Sequence, residues 1–155
     1  MKERFTPEEW SQLKVLPFQV FALVAASDEK IDQKELDQLQ SDLKNAAFYR
    51  DPLHREIALD ILTSDMQSLI QQALDVSQFA PRASSIKTFL TEKLSTEEYQ
   101  RFMGSLFIDG LKVARASGGG AFGLGDKVSG KEKLALTMLA TLFGLDVNTL
   151  SEHFG

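Results

Sequence analysis

The chain contains no cysteine and only two histidines among its 155 residues. The lack of cysteine excludes disulfide bonds, thiolate metal ligands and a cysteine nucleophile, and it fits a cytoplasmic protein. His54 and His153 belong to neither a Ser-His-Asp nor an H-E-x-x-H pattern, and we interpret each as a surface or packing residue. We therefore expect a cytoplasmic protein that is not an enzyme.

Basic residues are outnumbered by acidic ones, 17 to 22, which gives a formal net charge of -5. An acidic protein is repelled at long range by nucleic acids and by anionic membranes. The most apolar early segment, "VLPFQVFALVAA" at 15–26, is too short to span a bilayer and contains Pro17. We expect no nucleic-acid partner and no membrane insertion.

The sequence also lacks the alternation of apolar and polar residues that is typical of β-strands. Helix start signals recur instead, as five capping boxes at Thr6/Glu9, Asp32/Glu35, Ser64/Gln67, Ser95/Glu98 and Ser129/Glu132. Helices are predicted near 7–14, 17–27, 32–44, 52–62, 65–76, 81–94, 96–116 and 130–143, with a short turn or helix near 147–153. These patterns predict an all-α fold, a compact bundle of about eight helices that forms one domain over 1–155.

The two halves of the chain share a short pattern. The segment "KIDQKE" at 30–35 is echoed by "KVSGKE" at 127–132, and each follows an apolar helix that ends in Ala-Ser. We interpret the bundle as two related helical halves, in which residues 18–44 superpose on the unit from about 104 to 143. The glycine-rich segment 117–128 is then an insertion in the second turn.

The glycine-rich segment and the residues after it, "SGGGAFGLGDKVSGKE" at 117–132, match phosphate-binding motifs in part. Those motifs need a strand before the glycine turn, whereas a helix is predicted here, so we expect no nucleotide binding. Phe122 and Leu124 are two large apolar residues inside this loop. Either they fold back onto the bundle, or they bind a partner protein as a hydrophobic tip.

Four carboxylates lie close together in "ASDEKIDQKE" at 26–35, and carboxylate oxygens are ligands for hard cations. The spacing does not match an EF-hand loop, which has glycine at its sixth position where this segment has Gln33. Either Asp32 and Glu35 only cap the next helix, or Asp28, Asp32 and Glu35 also bind a divalent cation weakly. That cation is the one candidate cofactor.

The same turn resembles that of the TerB-like family, which includes tellurite-resistance TerB proteins and the N-terminal domain of the DjlA co-chaperone. The family pattern A-D-G-x-I-x-x-x-E is similar to residues 27–35 here, with Glu29 in place of the glycine. The resemblance implies an all-helical fold of two related halves, a link to stress and tellurite resistance, and a metal-binding role for Asp28 and Glu35, with Asp32 beside them. The alternative function is a protein-protein interaction module, without a metal site, that uses a helix face or the glycine-rich loop.

Overall fold

A computed structural model describes residues 1–26, 33–45, 51–117 and 130–145 of the chain. Helices are the only regular secondary structure in these ranges, so the all-α prediction is confirmed. The described α-helices are α1 Pro7–Ala26, α2 Gln33–Lys44, α3 Pro52–Leu62, α4 Met66–Leu74, α5 Phe79–Lys93, α6 Thr96–Ser117 and α7 Gly130–Leu142. Short 3-10 helices at Lys2–Arg4 and Val76–Gln78 precede α1 and α5.

Capping boxes begin α1 and α6, as predicted. Thr6 Oγ1 accepts the backbone N–H of Glu9 at 3.2 Å, and Glu9 Oε1 accepts the backbone N–H of Thr6 at 2.8 Å. Ser95 and Glu98 form the same pair of hydrogen bonds, at 3.1 and 2.9 Å. Each box satisfies two backbone N–H groups. The one in the first turn has no acceptor within the helix.

The capping box predicted at Ser64 and Gln67 is wrong. Asp65 is the N-cap of α4, and its carboxylate accepts the backbone N–H of Ser68 at 3.3 Å. Ser64 Oγ instead donates to the carbonyl of Asp60 at the end of α3, at 2.9 Å. Aspartate and serine are comparable N-caps, so the local pattern could not decide between these neighbouring positions.

Pro17 lies inside α1, which corrects the predicted break between residues 14 and 17. A proline in a helix interior removes one backbone hydrogen bond and costs about 3 kcal/mol or more. Core packing offsets this cost, because Leu13, Leu16 and Phe18 are fully buried on both sides of the proline. The two predicted helices are therefore one helix of 20 residues, and the described ranges hold seven α-helices where about eight were predicted.

The described helices share one hydrophobic core, through which α1 runs. α1 packs against α3, α4, α5, α6 and α7, while α2 packs against α6 and α3. Gly110 allows α6 to lie close to α1 and α7, because a Cβ at this position would lie 3.1 Å from Val20 Cγ1 and 3.4 Å from Leu136 Cδ2. Over the described residues, no helix combines the length and the apolar character needed to cross a membrane.

Candidate functional site

The residues that the sequence predicted as sites fall outside the described part of the structure. Asp28, Asp32, Phe122 and Leu124 lie between the described ranges, and Glu35 lies in α2 with its side chain outside the description. The cation site and the hydrophobic tip therefore stay predictions. The same holds for the two capping boxes that begin at residues 32 and 129 and for the turn near 147–153.

Among the described helices, α7 is fixed at its C-terminal end by a Schellman motif. Gly144 has a φ of 64°, the left-handed conformation that favours glycine. The N–H of Leu145 donates to the carbonyl of Ala140 at 2.8 Å, and the N–H of Gly144 donates to that of Thr141 at 3.2 Å. These two bonds satisfy carbonyls that the end of a helix leaves open, so the last turn of α7 is well defined.

A buried tyrosine joins the same end of α7 to α6. Tyr99 Oη donates to the carbonyl of Phe143 at 2.6 Å, and both residues are buried. At the surface, Gln100 Nε2 donates to the carbonyl of Gly144 at 3.4 Å. Burial raises the pKa of Tyr99 to about 12, so the hydroxyl remains protonated at neutral pH. α7 is thus held on the core by side-chain and backbone contacts at one end.

One side of α7 is buried and the opposite side is exposed. The buried side consists of Ala135, Leu136, Leu139, Ala140 and Phe143. On the exposed side, Leu134, Met138 and Leu142 show 63%, 48% and 37% of their surface to solvent. Their spacing of four residues places them in a row about 12 Å long on one side of the helix. We call these three residues the α7 apolar face.

No charged residue lies within 134–142, and the other exposed residues of this segment are Thr137 and Thr141. The solvent side of a helix in a globular protein normally carries charged and polar groups. α3 also exposes two leucines, Leu59 and Leu62, but a partly exposed cation, Arg55, lies four residues before the first of them. The α7 apolar face is therefore unusual for a surface that only meets water.

A second feature is a polar cluster buried between α2, α3 and α6. His54 is fully buried, with Nδ1 at 2.5 Å from Ser105 Oγ and Nε2 at 3.2 Å from Asp109 Oδ2. Asp51 is the N-cap of α3 and accepts the backbone N–H of His54 at 2.8 Å. Asp42 of α2 is also buried and interacts electrostatically with Asp109 and His54.

Burial raises the pKa of both Asp42 and Asp51 above the ordinary range of aspartate. For Asp42 the neighbouring carboxylate of Asp109 raises the pKa further, and a hydrogen bond from Gln38 Nε2 at 2.9 Å opposes the rise. For Asp51 the rise is opposed by the backbone N–H that it accepts and by Arg101, whose Nε lies 3.5 Å away. Ionised aspartates therefore lie in an unfavourable environment at this point of the core.

His54, Ser105 and Asp109 carry the functional groups of a catalytic triad without its geometry. In a triad the carboxylate orients the imidazole through a hydrogen bond. Here the two ring nitrogens are reversed, because Nδ1 faces Ser105 Oγ and Nε2 lies at ion-pair distance from Asp109. Asp109 lines a void of about 10 Å³, which is room for roughly one water molecule. The described part of the chain also contains no group of three His, Asp or Glu side chains arranged to hold a metal ion.

An open groove of about 390 Å³ lies between α1, α4 and α5. Its polar lining residues are Ser11, Gln12, Gln72, Arg82 and Ser85. Arg82 Nη1 donates to the backbone carbonyl of Gln72 at 3.1 Å, so the guanidinium forms part of the wall. Small-molecule sites are mostly apolar with a few polar groups. Here five of the seven lining residues are polar, with only Val15 and Pro81 apolar, and we assign no ligand to the groove.

Sequence reasoning missed both the buried cluster and the α7 apolar face. Of the two interpretations of His54, the surface one is wrong because the side chain is fully buried. Ser105 is 51 residues away in sequence, and only the packing of α3 on α6 brings the two together. Residues 134–142 are apolar on most sides of the helix, so their pattern does not separate the buried side from the exposed one. The exposure of Met138 could be found only from the fold.

No family model, no curated protein and no solved structure matches this chain. Its function has to be inferred from its own residues.

Proposed function

We propose that this chain is a non-enzymatic interaction domain that binds another protein through the α7 apolar face. The observation that supports this function is the exposure of Leu134, Met138 and Leu142 on a helix whose other side is packed in the core. The three exposed fractions add up to the surface of roughly one and a half fully exposed side chains. Complete burial of that surface in a complex would contribute about 2–4 kcal/mol.

The composition of the α7 apolar face favours a protein surface as the ligand. Residues 134–142 offer no charged group for a phosphate, a carboxylate or a nucleic acid. The length of the face, about 12 Å, corresponds to about two turns of an α-helix. An apolar helix face of a partner, with residues at spacings of three and four, is complementary to it.

The buried cluster around His54 supports a non-enzymatic role. Its side chains interact with one another in the interior, where Ser105 and Asp109 connect α6 to α3. A void of about 10 Å³ beside Asp109 is far below the roughly 300 Å³ of a small-molecule site. The cluster fits a role in joining three helices better than a role in chemistry.

The TerB-like resemblance belongs to the same proposal, with two related helical halves and a role in stress or tellurite resistance. The helix packing supports the two halves, because α2 packs on α6 and α7 packs on α1. If α1 corresponds to α6 and α2 corresponds to α7, the contact of α2 with α6 is equivalent to the contact of α7 with α1.

A second proposal concerns a divalent cation, bound weakly by the turn before α2. α2 begins at Gln33, so Asp28 and Asp32 precede the helix N-terminus in sequence and Glu35 belongs to its first turn. The positive end of the helix dipole lowers the repulsion among these carboxylates but also competes with the cation. We expect weak binding for that reason.

The interaction function can be tested by co-purification of the tagged full chain from its own cells. Met138→Glu places a charge in the middle of the α7 apolar face. Leu59→Glu is the matched control, because Leu59 is exposed to 45% on α3. We expect a co-purifying protein to be lost with Met138→Glu and retained with Leu59→Glu. Identical recovery of every protein from wild type and both variants would contradict the proposed function.

A further inference from the structure

The four methionines of the chain differ in how much of each side chain is exposed to solvent. Met138, in the middle of the α7 apolar face, exposes 48% of its surface, whereas Met103 of α6 exposes 2%. Met1 and Met66 are partly buried and pack against the core. A small oxidant dissolved in water therefore reaches the side chain of Met138 more easily than that of the other three.

Met138 also has few competitors for such an oxidant within its own chain. Peroxides oxidise two sulfur groups in proteins, the thiolate of cysteine and the thioether of methionine. The chain has no cysteine, so its thioethers are the only sulfur groups open to this reaction. The most accessible of these thioethers lies at the centre of the α7 apolar face.

We infer that Met138 is a reversible oxidation site, and that its conversion to methionine sulfoxide makes the centre of the α7 apolar face polar. The thioether sulfur attacks one oxygen of hydrogen peroxide. An S–O bond forms, the O–O bond breaks and water leaves, so that the sulfur loses two electrons and the peroxide gains them. A methionine sulfoxide reductase reverses the change, because two thiols become a disulfide while the sulfoxide oxygen leaves as water.

The neighbours of Met138 cannot compensate for the new oxygen. A sulfoxide oxygen accepts hydrogen bonds, while Leu134 and Leu142, about one turn away on either side, have no side-chain donor. The nearby hydroxyl of Thr141 already donates to the carbonyl of Thr137 at 2.9 Å. In the free chain, water can donate to the sulfoxide because Met138 is half exposed. Burial against an apolar partner removes that water and leaves the acceptor unsatisfied.

Oxidation of Met138 is therefore expected to weaken partner binding by about five- to 150-fold, the effect of one unsatisfied buried acceptor. This regulation rests on the proposed interaction function, whereas the oxidation site itself does not. The fold should persist after oxidation, because the side chain already lies at the surface. We expect the melting temperature of the oxidised chain to stay within about 2 °C of the untreated one.

Peptide mapping by mass spectrometry tests the site in the purified full chain treated with hydrogen peroxide. We expect the sulfoxide of Met138 to form at least about ten times faster than that of Met103, and faster than those of Met1 and Met66. In urea the four rates should become similar, because unfolding removes the difference in exposure. A methionine sulfoxide reductase with dithiothreitol should restore the original mass of the peptide that contains Met138.

Hydrophobic-interaction chromatography tests the change in the surface. Met138→Leu is the matched control, because leucine keeps the face apolar and has no sulfur to oxidise. Peroxide should make wild type elute earlier and leave the elution of Met138→Leu unchanged. In the co-purification, peroxide treatment should remove from wild type the same protein that Met138→Glu loses, and Met138→Leu should retain that protein under both conditions.

Equal oxidation of Met138 and Met103 in the folded chain would overturn the inference, as would an elution shift that wild type lacks or that Met138→Leu shares. The proposed function fails separately. If Met138→Glu loses a partner that the fully oxidised wild type retains, the regulation is wrong and the interaction domain stands. If Met138→Glu loses no protein, the proposed function is wrong, and peptide mapping together with chromatography still decides the oxidation site.

Discussion

The hydrogen bond between Tyr99 and the end of α7 gives a sharp prediction. Tyr99→Phe removes only the hydroxyl oxygen, so it creates almost no cavity, but it leaves the carbonyl of Phe143 buried without its donor. An unsatisfied buried acceptor costs about 1–3 kcal/mol. For a chain of this length such a loss lowers the melting temperature by roughly 2–12 °C.

Chemical denaturation followed by far-UV circular dichroism measures this loss. The control is Gln100→Ala, which removes a longer hydrogen bond of 3.4 Å from the surface of the same turn. We expect its free energy of unfolding to stay within about 0.5 kcal/mol of wild type. If Tyr99→Phe is no more destabilising than Gln100→Ala, the buried hydrogen bond does not fix α7 as described.

The dependence of this effect on pH follows from the pKa of Tyr99, which burial raises to about 12. A raised pKa means that the folded state holds the proton more tightly than the unfolded state. The stabilisation is therefore complete below about pH 10 and is lost as pH rises toward 12. Wild type should approach Tyr99→Phe in stability over that interval, and a constant difference from pH 9 to 12 would contradict the burial of the hydroxyl.

Three further predictions concern other parts of the chain. Asp42→Asn should raise the free energy of urea unfolding at pH 7, because burial and Asp109 disfavour the ionised carboxylate; the gain should shrink as pH falls toward 4, since protonation then removes the same cost. Gly144→Ala should lower the free energy of unfolding by about 1 kcal/mol in the same assay, because alanine is strained at a φ of 64°. Steric overlap does not add to this cost, since the nearest atom to the new Cβ is Lys87 Nζ at 3.5 Å. Millimolar calcium or magnesium should raise the melting temperature of wild type and not that of Asp28→Asn; equal melting of both chains with and without cation would remove the cation proposal.

The local signals of the sequence predicted most of the described helices. Capping boxes at Thr6 and Ser95 act as expected, because the groups that form them lie within four residues of one another. Pro17 shows where such signals fail. Its local effect is to break a helix, but the burial of Leu13 and Phe18 depends on helices far away in sequence and outweighs that effect.

The candidate site was beyond local prediction for the same reason. Leu134, Met138 and Leu142 share their spacing and residue types with the buried sides of other helices, and only the orientation of α7 on α1 and α6 decides that they face outward. His54 likewise obtains its neighbours from the packing of α3 against α6. Local sequence determines that α7 is a helix, whereas tertiary contacts determine which of its sides is free to bind.

Contact of the α7 apolar face with another protein chain can be measured by site-specific photo-cross-linking in the native cells. A benzophenone amino acid replaces Met138 in one variant and Leu59 in the control, positions with similar exposures of 48% and 45%. We predict a discrete cross-linked species from position 138, in which mass spectrometry identifies one partner protein, and none from position 59. The same species from both positions, or none from position 138, would contradict the assignment of this face as the interaction surface.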